Sequence, residues 1–467
     1  MQKVRVIETD IAGKAFMKEQ PALKFRRDTD VPDGIELQVI NVYDEVKYQK
    51  ILGFGGAFTD AAAHNYAKMT KEQQKEVSDA YFSDTRGIDF DFCRICINSS
   101  DYAVDFYTCD DVEGDVDLVH FNIEHDKKEI IPMIKDALKR NPDMKILASP
   151  WSPPKWMKTN GKMQDGGYLK KEYRQTWALF YAKFIQAYKD EGVPIWAVTV
   201  QNEAKALQFW ESCLYTAEDE RDFVTGYLRP TLDGEGLGDV KIFCWDHNKE
   251  RAVDRALVTF GTTSGRNAFD GMAHHWYSGD HFAALDAVHQ LFPEKYLIGT
   301  ENSSRAIDAI PWYGGEQVAH ELIGDFNNYC SAFMDWNLIL DETGHPYHWD
   351  KEKAATQKAG TNAMYNQPEY KKRRPSSPIM FWEGKLHYEY SYYYLGQFSK
   401  FVQKDAVRIA SSSYDERLET VAFQNPDGSR VLVVMNKGEE PLPAIVRYRN
   451  CLAEYETKPH SIVTFLF

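Results

Sequence analysis

Cysteine is scarce in this sequence and follows no recognisable framework. The 467 residues include seven cysteines, an odd number, and only Cys93 and Cys96 stand in C-x-x-C spacing. That pair falls within a predicted strand, where positions i and i+3 point to opposite faces, so the two thiols are not expected to share a metal or a disulfide. The cysteines therefore argue against a disulfide scaffold, a zinc site and a redox pair. Free thiols are typical of a reducing compartment.

Long apolar runs are also absent from the sequence. No stretch approaches the roughly 18 apolar residues that a membrane span requires. The first residues, 1–6, contain no apolar core of the kind found in signal peptides. The sequence therefore predicts a cytoplasmic protein without a membrane span, unless a leader has been removed.

Basic residues are outnumbered by acidic ones. The chain has 55 Lys and Arg against 70 Asp and Glu, which gives a formal net charge of −15. This excess of negative charge disfavours a nucleic-acid partner. Aromatic residues, in contrast, make up 14% of the chain. Some of them must fill the core, but aromatic faces also cover the apolar C–H patches of sugars, so a neutral carbohydrate is a suitable substrate.

Short apolar strands alternate with helical patterns through the middle of the chain. The predicted strands lie at 51–59, 90–98, 145–150, 195–203, 240–246, 272–277, 295–301 and 331–340. Eight strand–helix alternations predict an α/β fold, a (β/α)8 TIM barrel that spans residues 45–404. The segments 1–44 and 405–467 contain short strands between turns, such as 23–26 and 36–41. We expect these two segments to pack together as one β-sandwich attached to the barrel.

Two of the predicted strands end on a glutamate. Glu203 closes the fourth strand and Glu301 closes the seventh, so three βα units can separate them. In a parallel barrel the carboxyl ends of all strands meet at one mouth, where the active site lies. Two carboxyl groups at such a mouth are what glycoside hydrolysis requires. The alternative is that both are loop glutamates paired with lysines.

Seven further residues at or near strand ends could line a sugar site. They are Arg94, Asp101, Trp151, Asn202, His275, Tyr277 and Trp336. Asn202 could hydrogen-bond a sugar 2-hydroxyl, and Arg94, inside an otherwise apolar strand, could keep a nucleophilic carboxylate ionised. Asp101 could accept sugar hydroxyls, and Trp151 could form a rigid wall. Each has a structural alternative, such as an ordinary ion pair for Arg94 or a packing indole for Trp151.

Histidines occur at the ends of the fifth and sixth predicted strands. His275 and Tyr277 share a face because neighbouring side chains alternate, so Tyr277 could hydrogen-bond the nucleophile. Asp246 and His247 end the fifth strand and could form another wall of the site. No metal site is expected at His274-His275, because no carboxylate or third histidine stands at ligand spacing in the sequence.

Six motifs stand in a fixed order along the chain. They are GFGGAFTDAAA at 53–63, ASPWSPPKWMKTNG at 148–161, TVQNEA at 199–204, HHWY at 274–277, GTENSS at 299–304 and MDWNL at 334–338. Together they resemble the motifs of glycoside hydrolase family 30, the glucosylceramidase family. The resemblance covers nearly the whole chain, the sandwich segments included. The sequence departs from the family pattern at Ala204, where the family usually has proline. The loops at 205–213, 312–315 and 341–388 match too loosely to identify a leaving group.

The resemblance implies a retaining β-glycosidase in which Glu203 is the acid/base and Glu301 the nucleophile. The other seven residues named above fall on positions that line the sugar subsite or support the nucleophile in this family. We expect an exo-β-glucosidase that acts on small β-glucosides or oligosaccharides without a cofactor or metal. The alternatives are an endo-β-1,6-glucanase, a β-xylosidase or a β-fucosidase of the same family, and, more remotely, a non-catalytic sugar-binding barrel. The acid's pKa should be raised to roughly 6 by burial, while an arginine keeps the nucleophile ionised.

Overall fold

The computed structural model describes residues 3–30, 35–348 and 374–467, and its centre is a closed barrel of eight parallel strands in chain order. The barrel strands, numbered 1 to 8 below, are Gly53–Phe58, Phe92–Ile97, Lys145–Pro150, Ala197–Thr199, Lys241–Asn248, Gly271–His275, Tyr296–Glu301 and Cys330–Asn337. Each predicted strand contributes one of them, so the predicted TIM barrel is confirmed.

Helices follow the barrel strands and cover their outer faces. The longer ones are Asp60–Ala67, Lys71–Phe82, Ile130–Leu138, Arg174–Asp190, Ala217–Phe223, Ala252–Phe260, Phe282–Leu291, Tyr313–Asn327 and Tyr390–Ser399. Short helices extend two of these units at Arg229–Gly234 and Thr263–Ala268. Helix Lys71–Phe82 begins with a capping box in which Thr70 and Gln73 satisfy each other's backbone N–H groups. Among the described residues no helix is both long and apolar enough to cross a membrane; the cytoplasmic location stays a prediction.

One cluster of apolar side chains fills part of the barrel interior. This cluster consists of Phe92, Leu147, Ala197, Phe243, Ala273, Ile298, Ala332 and Met334. Side chains two residues further along a strand point to the same face, one layer nearer the carboxyl ends. Phe92 is thus followed by Arg94, and Ala273 by His275. The apolar layer therefore lies directly beneath a polar layer, which is nearer the carboxyl ends of the strands.

Both termini contribute strands to one ten-stranded sheet beside the barrel. Its strands are Lys3–Asp10, Ala15–Lys24, Arg26–Arg27, Val39–Lys50, Val407–Ser413, Leu418–Gln424, Arg430–Asn436, Leu442–Tyr448, Cys451–Thr457 and Ser461–Leu466. The first strand pairs with the last, antiparallel. Buried aliphatic and aromatic residues from both ends of the chain form a second core within this sandwich.

Several element boundaries differ from the sequence prediction. The short strand expected at 23–26 belongs to the longer hairpin strand Ala15–Lys24, and the one expected at 36–41 begins as a 3₁₀ turn before strand Val39–Lys50. Strand 4 is only three residues long, because the chain leaves the sheet at Val200 and turns before Glu203. Strand Cys451–Thr457 was not predicted, since Glu454 and Glu456 interrupt its apolar pattern. Within the loop at 341–388, residues 349–373 lie outside the described residues.

Candidate active site

Arg94 is the centre of a buried polar layer at the mouth of the barrel. Its side chain has no exposed surface, and its guanidinium donates in four directions. Nη1 donates to Glu301 Oε2 at 2.6 Å, and Nη2 donates to Asp246 Oδ2 at 2.7 Å and to Asn202 Oδ1 at 2.9 Å. Nε donates to Ser149 Oγ at 3.1 Å. A buried cation costs several kcal/mol unless it is paired, and here two carboxylates and two neutral acceptors satisfy it.

Asp246 is the second anchor of this layer. Its Oδ2 accepts from Arg94 and from Thr199 Oγ1 at 2.6 Å, and its Oδ1 accepts from Thr300 Oγ1 at 2.6 Å and lies 3.0 Å from His275 Nε2. Burial raises the pKa of Asp246, but Arg94 and His275 outweigh burial and hold that pKa well below its usual range. Asp246 is therefore a fixed negative charge within the barrel.

A local distortion of strand 5 turns Asp246 inward. Strict alternation from the inward-facing Phe243 would place Trp245 in the barrel. Instead Trp245 and Asp246 have φ angles of 73° and 48°, and the pairing register with strand 6 shifts at this point. Such a bulge re-aims one side chain. The sequence analysis treated Asp246 only as a possible wall, although a charge closing an apolar strand is the signal that identified Glu203 and Glu301.

Glu301 is held through both of its carboxylate oxygens. Besides the bond from Arg94 to Oε2, Tyr277 donates its hydroxyl to Oε1 at 2.9 Å. The backbone N–H of Ser303 donates to the Tyr277 oxygen at 3.2 Å, which fixes the phenol in turn. The position predicted for Tyr277, against the expected nucleophile, is the one observed.

Glu203 has a freer setting than Glu301. It lies in a turn with a φ of 48°, anchored by its own N–H to the carbonyl of Asp246 at 2.8 Å. Its carboxylate is 15% exposed, and Oε1 lies 3.6 Å from His275 Nδ1 and 4.0 Å from His247 Nδ1. Both distances exceed those of ordinary hydrogen bonds.

The pKa directions of the two glutamates differ from the expectation. Burial raises the pKa of Glu203, but the neighbouring histidines lower it by a larger amount. Its net pKa therefore lies below that of an ordinary glutamate. Burial also raises the pKa of Glu301. His275 and Arg94 lower it and the charge of Glu203 raises it, and the net direction is upward. His275 itself has a pKa raised to about 9: burial lowers it, and Glu301 and Asp246 outweigh burial.

Two indoles form a packed wall over Arg94. The rings of Trp151 and Trp336 are stacked with centroids 5.1 Å apart, and the guanidinium carbon lies 4.8 Å and 5.5 Å from their centroids. Each tryptophan is only 2% exposed. They support the cation directly, and their contact with a sugar stays a prediction.

Asp101 lies beside the two glutamates and is partly buried. Its pKa is raised well above the usual range by burial and by the charges of Glu301, Glu211 and Glu203. Glu211 was not predicted. It is fully buried and bonds to Ser99 and, at 3.0 Å, to His348 Nε2. This bond connects the loop after strand 4 to the loop after strand 8.

The nine residues expected from the sequence thus gather at one barrel mouth. The arrangement joins one carboxylate fixed by a cation and a phenol to a second, partly exposed carboxyl, beside an amide and aromatic rings. Such a site can pair nucleophilic attack with proton transfer at an acetal carbon. The catalytic roles of the individual residues stay predictions.

Comparison with known proteins identifies the family. The model of the glycosyl hydrolase family 30 TIM-barrel domain matches residues 51–373, and that of the family 30 beta-sandwich domain matches residues 405–465. The chain is 33% identical to lysosomal acid glucosylceramidase of Mus musculus over 87% of its own length and 79% of the relative's.

Two solved structures extend the similarity to the whole fold. The crystal structure of SrfJ from Salmonella typhimurium superposes with a TM-score of 0.91 at 32% identity, covering 100% of this chain and 99% of the other. The endo-β1,6-glucanase BT3312 superposes with a TM-score of 0.83 at 27% identity and the same coverage. With both domain models matched and a relative above 30% identity along most of its length, this chain belongs to glycosyl hydrolase family 30 and is a glycoside hydrolase.

Proposed function

We propose that this chain is a retaining exo-β-glucosidase that hydrolyses β-D-glucosides through a covalent glycosyl-enzyme intermediate. The observation that carries the proposal is the unequal setting of the two carboxyls. Glu301 is held at both oxygens by Arg94 and Tyr277. The ion-pair partners of Glu203 within the described residues are histidines alone, and its carboxylate keeps a contact with solvent. A fixed carboxylate suits attack on carbon, and a less constrained one suits proton transfer.

In the first step, Glu203 donates its proton to the glycosidic oxygen while a Glu301 oxygen bonds to the anomeric carbon. The bond from that carbon to the leaving oxygen breaks, the alcohol departs, and a glycosyl ester remains on Glu301. In the second step, Glu203 takes a proton from water as the water oxygen attacks the anomeric carbon. The ester bond then breaks and Glu301 regains its charge.

Sugar binding and ester formation would shift the pKa of Glu203 in opposite directions. A bound sugar would exclude water from the exposed part of Glu203, which disfavours its charged form and raises its pKa. Ester formation then removes the charge of Glu301, and the loss of a neighbouring like charge lowers the pKa of Glu203 again. Glu203 can therefore act as an acid before the intermediate and as a base after it.

Asn202 is oriented to contact the sugar. Its Oδ1 accepts from Arg94 Nη2 at 2.9 Å, so its amide NH₂ group remains to donate to a sugar hydroxyl. A hydrogen bond to the 2-hydroxyl would strengthen in the oxocarbenium-like transition state. An Asn202→Ala variant should therefore show a decrease in kcat that is larger than its increase in KM.

The stereochemistry of the product tests the proposal. Retention requires the two carboxyls about 5–5.5 Å apart, and inversion requires roughly 6.5–9.5 Å. Proton NMR of an aryl β-glucoside reaction should show β-glucose as the first product, with α-glucose appearing only by mutarotation. An α-configured first product would contradict the proposed intermediate.

The alternative specificity is endo action on a β-1,6-glucan, which the similarity to an endo-β1,6-glucanase favours. Gentio-oligosaccharides separate the two actions, because an exo enzyme releases glucose from the first cleavage and an endo enzyme releases shorter oligosaccharides. Aryl glucoside, xyloside, fucoside and galactoside substrates compared at equal concentration would then identify the sugar. Glucose release from every chain length, with the glucoside preferred, would support the exo-β-glucosidase.

A further inference from the structure

A cluster of two histidines and one carboxylate lies on one side of the candidate active site. Glu203 Oε1 is 3.6 Å from His275 Nδ1 and 4.0 Å from His247 Nδ1. One ligand atom from each of the three residues can be chosen so that all lie within 4.8 Å of one another. The residues come from the loop after strand 4, from strand 5 and from strand 6. Their positions in the sequence are far apart, so no local sequence motif predicts the cluster.

Both histidines direct one nitrogen to this cluster. Nδ1 of His247 and Nδ1 of His275 are buried, and both face the Glu203 carboxylate. His275 has no exposed side-chain surface, and His247 is 13% exposed. Two imidazole nitrogens and a carboxylate oxygen therefore converge in a largely buried space.

The surroundings fix the rings in an orientation suited to coordination. His275 Nε2 lies 3.0 Å from Asp246 Oδ1, and Asp246 is a permanent carboxylate. In a metal-bound ring Nε2 therefore keeps its hydrogen, and Nδ1, which faces Glu203, releases its hydrogen to bind the ion. A carboxylate that orients the distal nitrogen of a metal-binding histidine is the usual second shell of such sites. The His247 ring lies 4.9 Å from the Trp245 ring, which limits its rotation.

We propose that Glu203, His247 and His275 form a binding site for a single Zn²⁺ ion, and that the ion inhibits the enzyme. Two imidazoles and a carboxylate are ligands that Zn²⁺ prefers, with a water or a sugar hydroxyl in the fourth position. At metal–ligand distances of about 2.0–2.2 Å, tetrahedral ligand atoms lie about 3.3–3.5 Å apart. The observed separations of 3.6 Å and 4.0 Å need only small side-chain shifts to reach this range.

The charges around the cluster favour a cation. The Asp246 carboxylate lies 3.0 Å from Nε2 of His275, so a negative charge stands directly behind one of the proposed ligands. The ion would accept one lone pair from each ligand without any covalent or redox change. Coordination would leave Glu203 unable to carry a proton. Inhibition therefore rests on the acid/base role proposed for Glu203, whereas binding does not.

Calorimetric titration of the metal-free full chain with ZnCl₂ tests binding without turnover. We expect the wild type to bind Zn²⁺ with micromolar affinity, and His247→Asn and Glu203→Gln each to weaken that binding at least 30-fold. His289→Asn, which changes a histidine stacked on Tyr329 instead, is the matched control and should bind as the wild type does. Wild-type binding no tighter than 1 mM, or equal binding by His247→Asn, would overturn the site. Ion pairing with Glu203 alone would then account for the two nitrogens.

Initial rates on an aryl β-glucoside test the inhibitory effect. Each variant is compared with its own rate in the presence of chelator, so a lower basal rate does not matter. Zn²⁺ should inhibit the wild type and His289→Asn in parallel with binding, and His247→Asn should require at least 30-fold more Zn²⁺. Stoichiometric binding without loss of rate would overturn the inhibitory role while leaving the proposed hydrolysis intact. Thermal melting of His247→Asn, and of His247→Gln as a second variant, excludes misfolding as the cause.

Discussion

Replacing Asp246 by asparagine tests whether the polar layer holds the catalytic groups in place. The Asp246 carboxylate lies against four donor groups, two at each oxygen: Arg94 and Thr199 at Oδ2, and His275 and Thr300 at Oδ1. An asparagine side chain offers one acceptor oxygen and one NH₂ group. Whichever way it turns, the NH₂ group faces two donors, and the buried guanidinium loses one of its two carboxylates.

The cost follows from the burial of the pair. Both side chains of the Arg94–Asp246 ion pair have no exposed surface. Removing one partner of such a pair costs about 3–5 kcal/mol. Unfolding entropy of about 2.1 cal/mol/K per residue amounts to about 1 kcal/mol/K for 467 residues, so the melting temperature should fall by roughly 3–5 °C.

The effect on catalysis should be larger than this stability loss alone implies. Arg94 also holds Glu301 and Asn202, and a shift of the guanidinium displaces both. A loss of about 2.7 kcal/mol in transition-state stabilisation lowers kcat/KM about 100-fold. We expect at least that loss on an aryl β-glucoside, measured below the melting temperature of the variant.

The matched control is Asp325→Asn. Asp325 pairs with Lys249 at 2.9 Å, and neither side chain has exposed surface, so the chemical change and the stability cost are similar. This pair does not contact Glu301, and kcat/KM should stay within about threefold of the wild type. If both variants melt early but Asp246→Asn also keeps its kcat/KM, the positioning role assigned to Asp246 is refuted.

Three further predictions address the acid/base, the sandwich and the barrel wall. Glu203→Ala should slow the hydrolysis of glucosides whose leaving group needs protonation and spare activated phenolates; equal losses in kcat/KM would contradict its role. The pKa of Asp44 is lowered to about 2, because its arginine and tyrosine partners outweigh burial. Its contribution of about 1–2 kcal/mol is therefore present above pH 4 and lost as pH falls through 2. Asp44→Asn should melt earlier at pH 7, with a difference that shrinks as acid is added. In Gly55→Ala the new Cβ would lie 1.9 Å from the Phe92 carbonyl oxygen, so the chain should not accumulate as folded protein, whereas Gly226→Ala, with open space around it, should fold.

The barrel could be predicted because its strands and helices have different periods in the sequence. Strand 3 was predicted with the bounds observed, Lys145–Pro150, since an apolar run ends there at a proline-rich loop. Strand 4 was predicted too long, because the apolar run extends from Ile195 to Val200, whereas the strand covers only Ala197–Thr199. Hydrophobicity reports burial, and Ile195 and Val200 are buried although they lie outside the strand.

The sequence by itself determined the fold class and the expectation that Glu203 and Glu301 meet at one barrel mouth. Eight short apolar runs, each followed by a helical pattern, predict the walls of a parallel barrel, and the carboxyl ends of its strands lie together. The tertiary structure alone decided how the charges around Glu203 and Glu301 are balanced. Asp246 enters the barrel through two residues with positive φ, and such a bulge leaves no trace in a hydrophobic period. The position of His247 beside Glu203 likewise depends on how two strands lie in space. The interaction between their charges depends on that distance and not on their separation in the sequence.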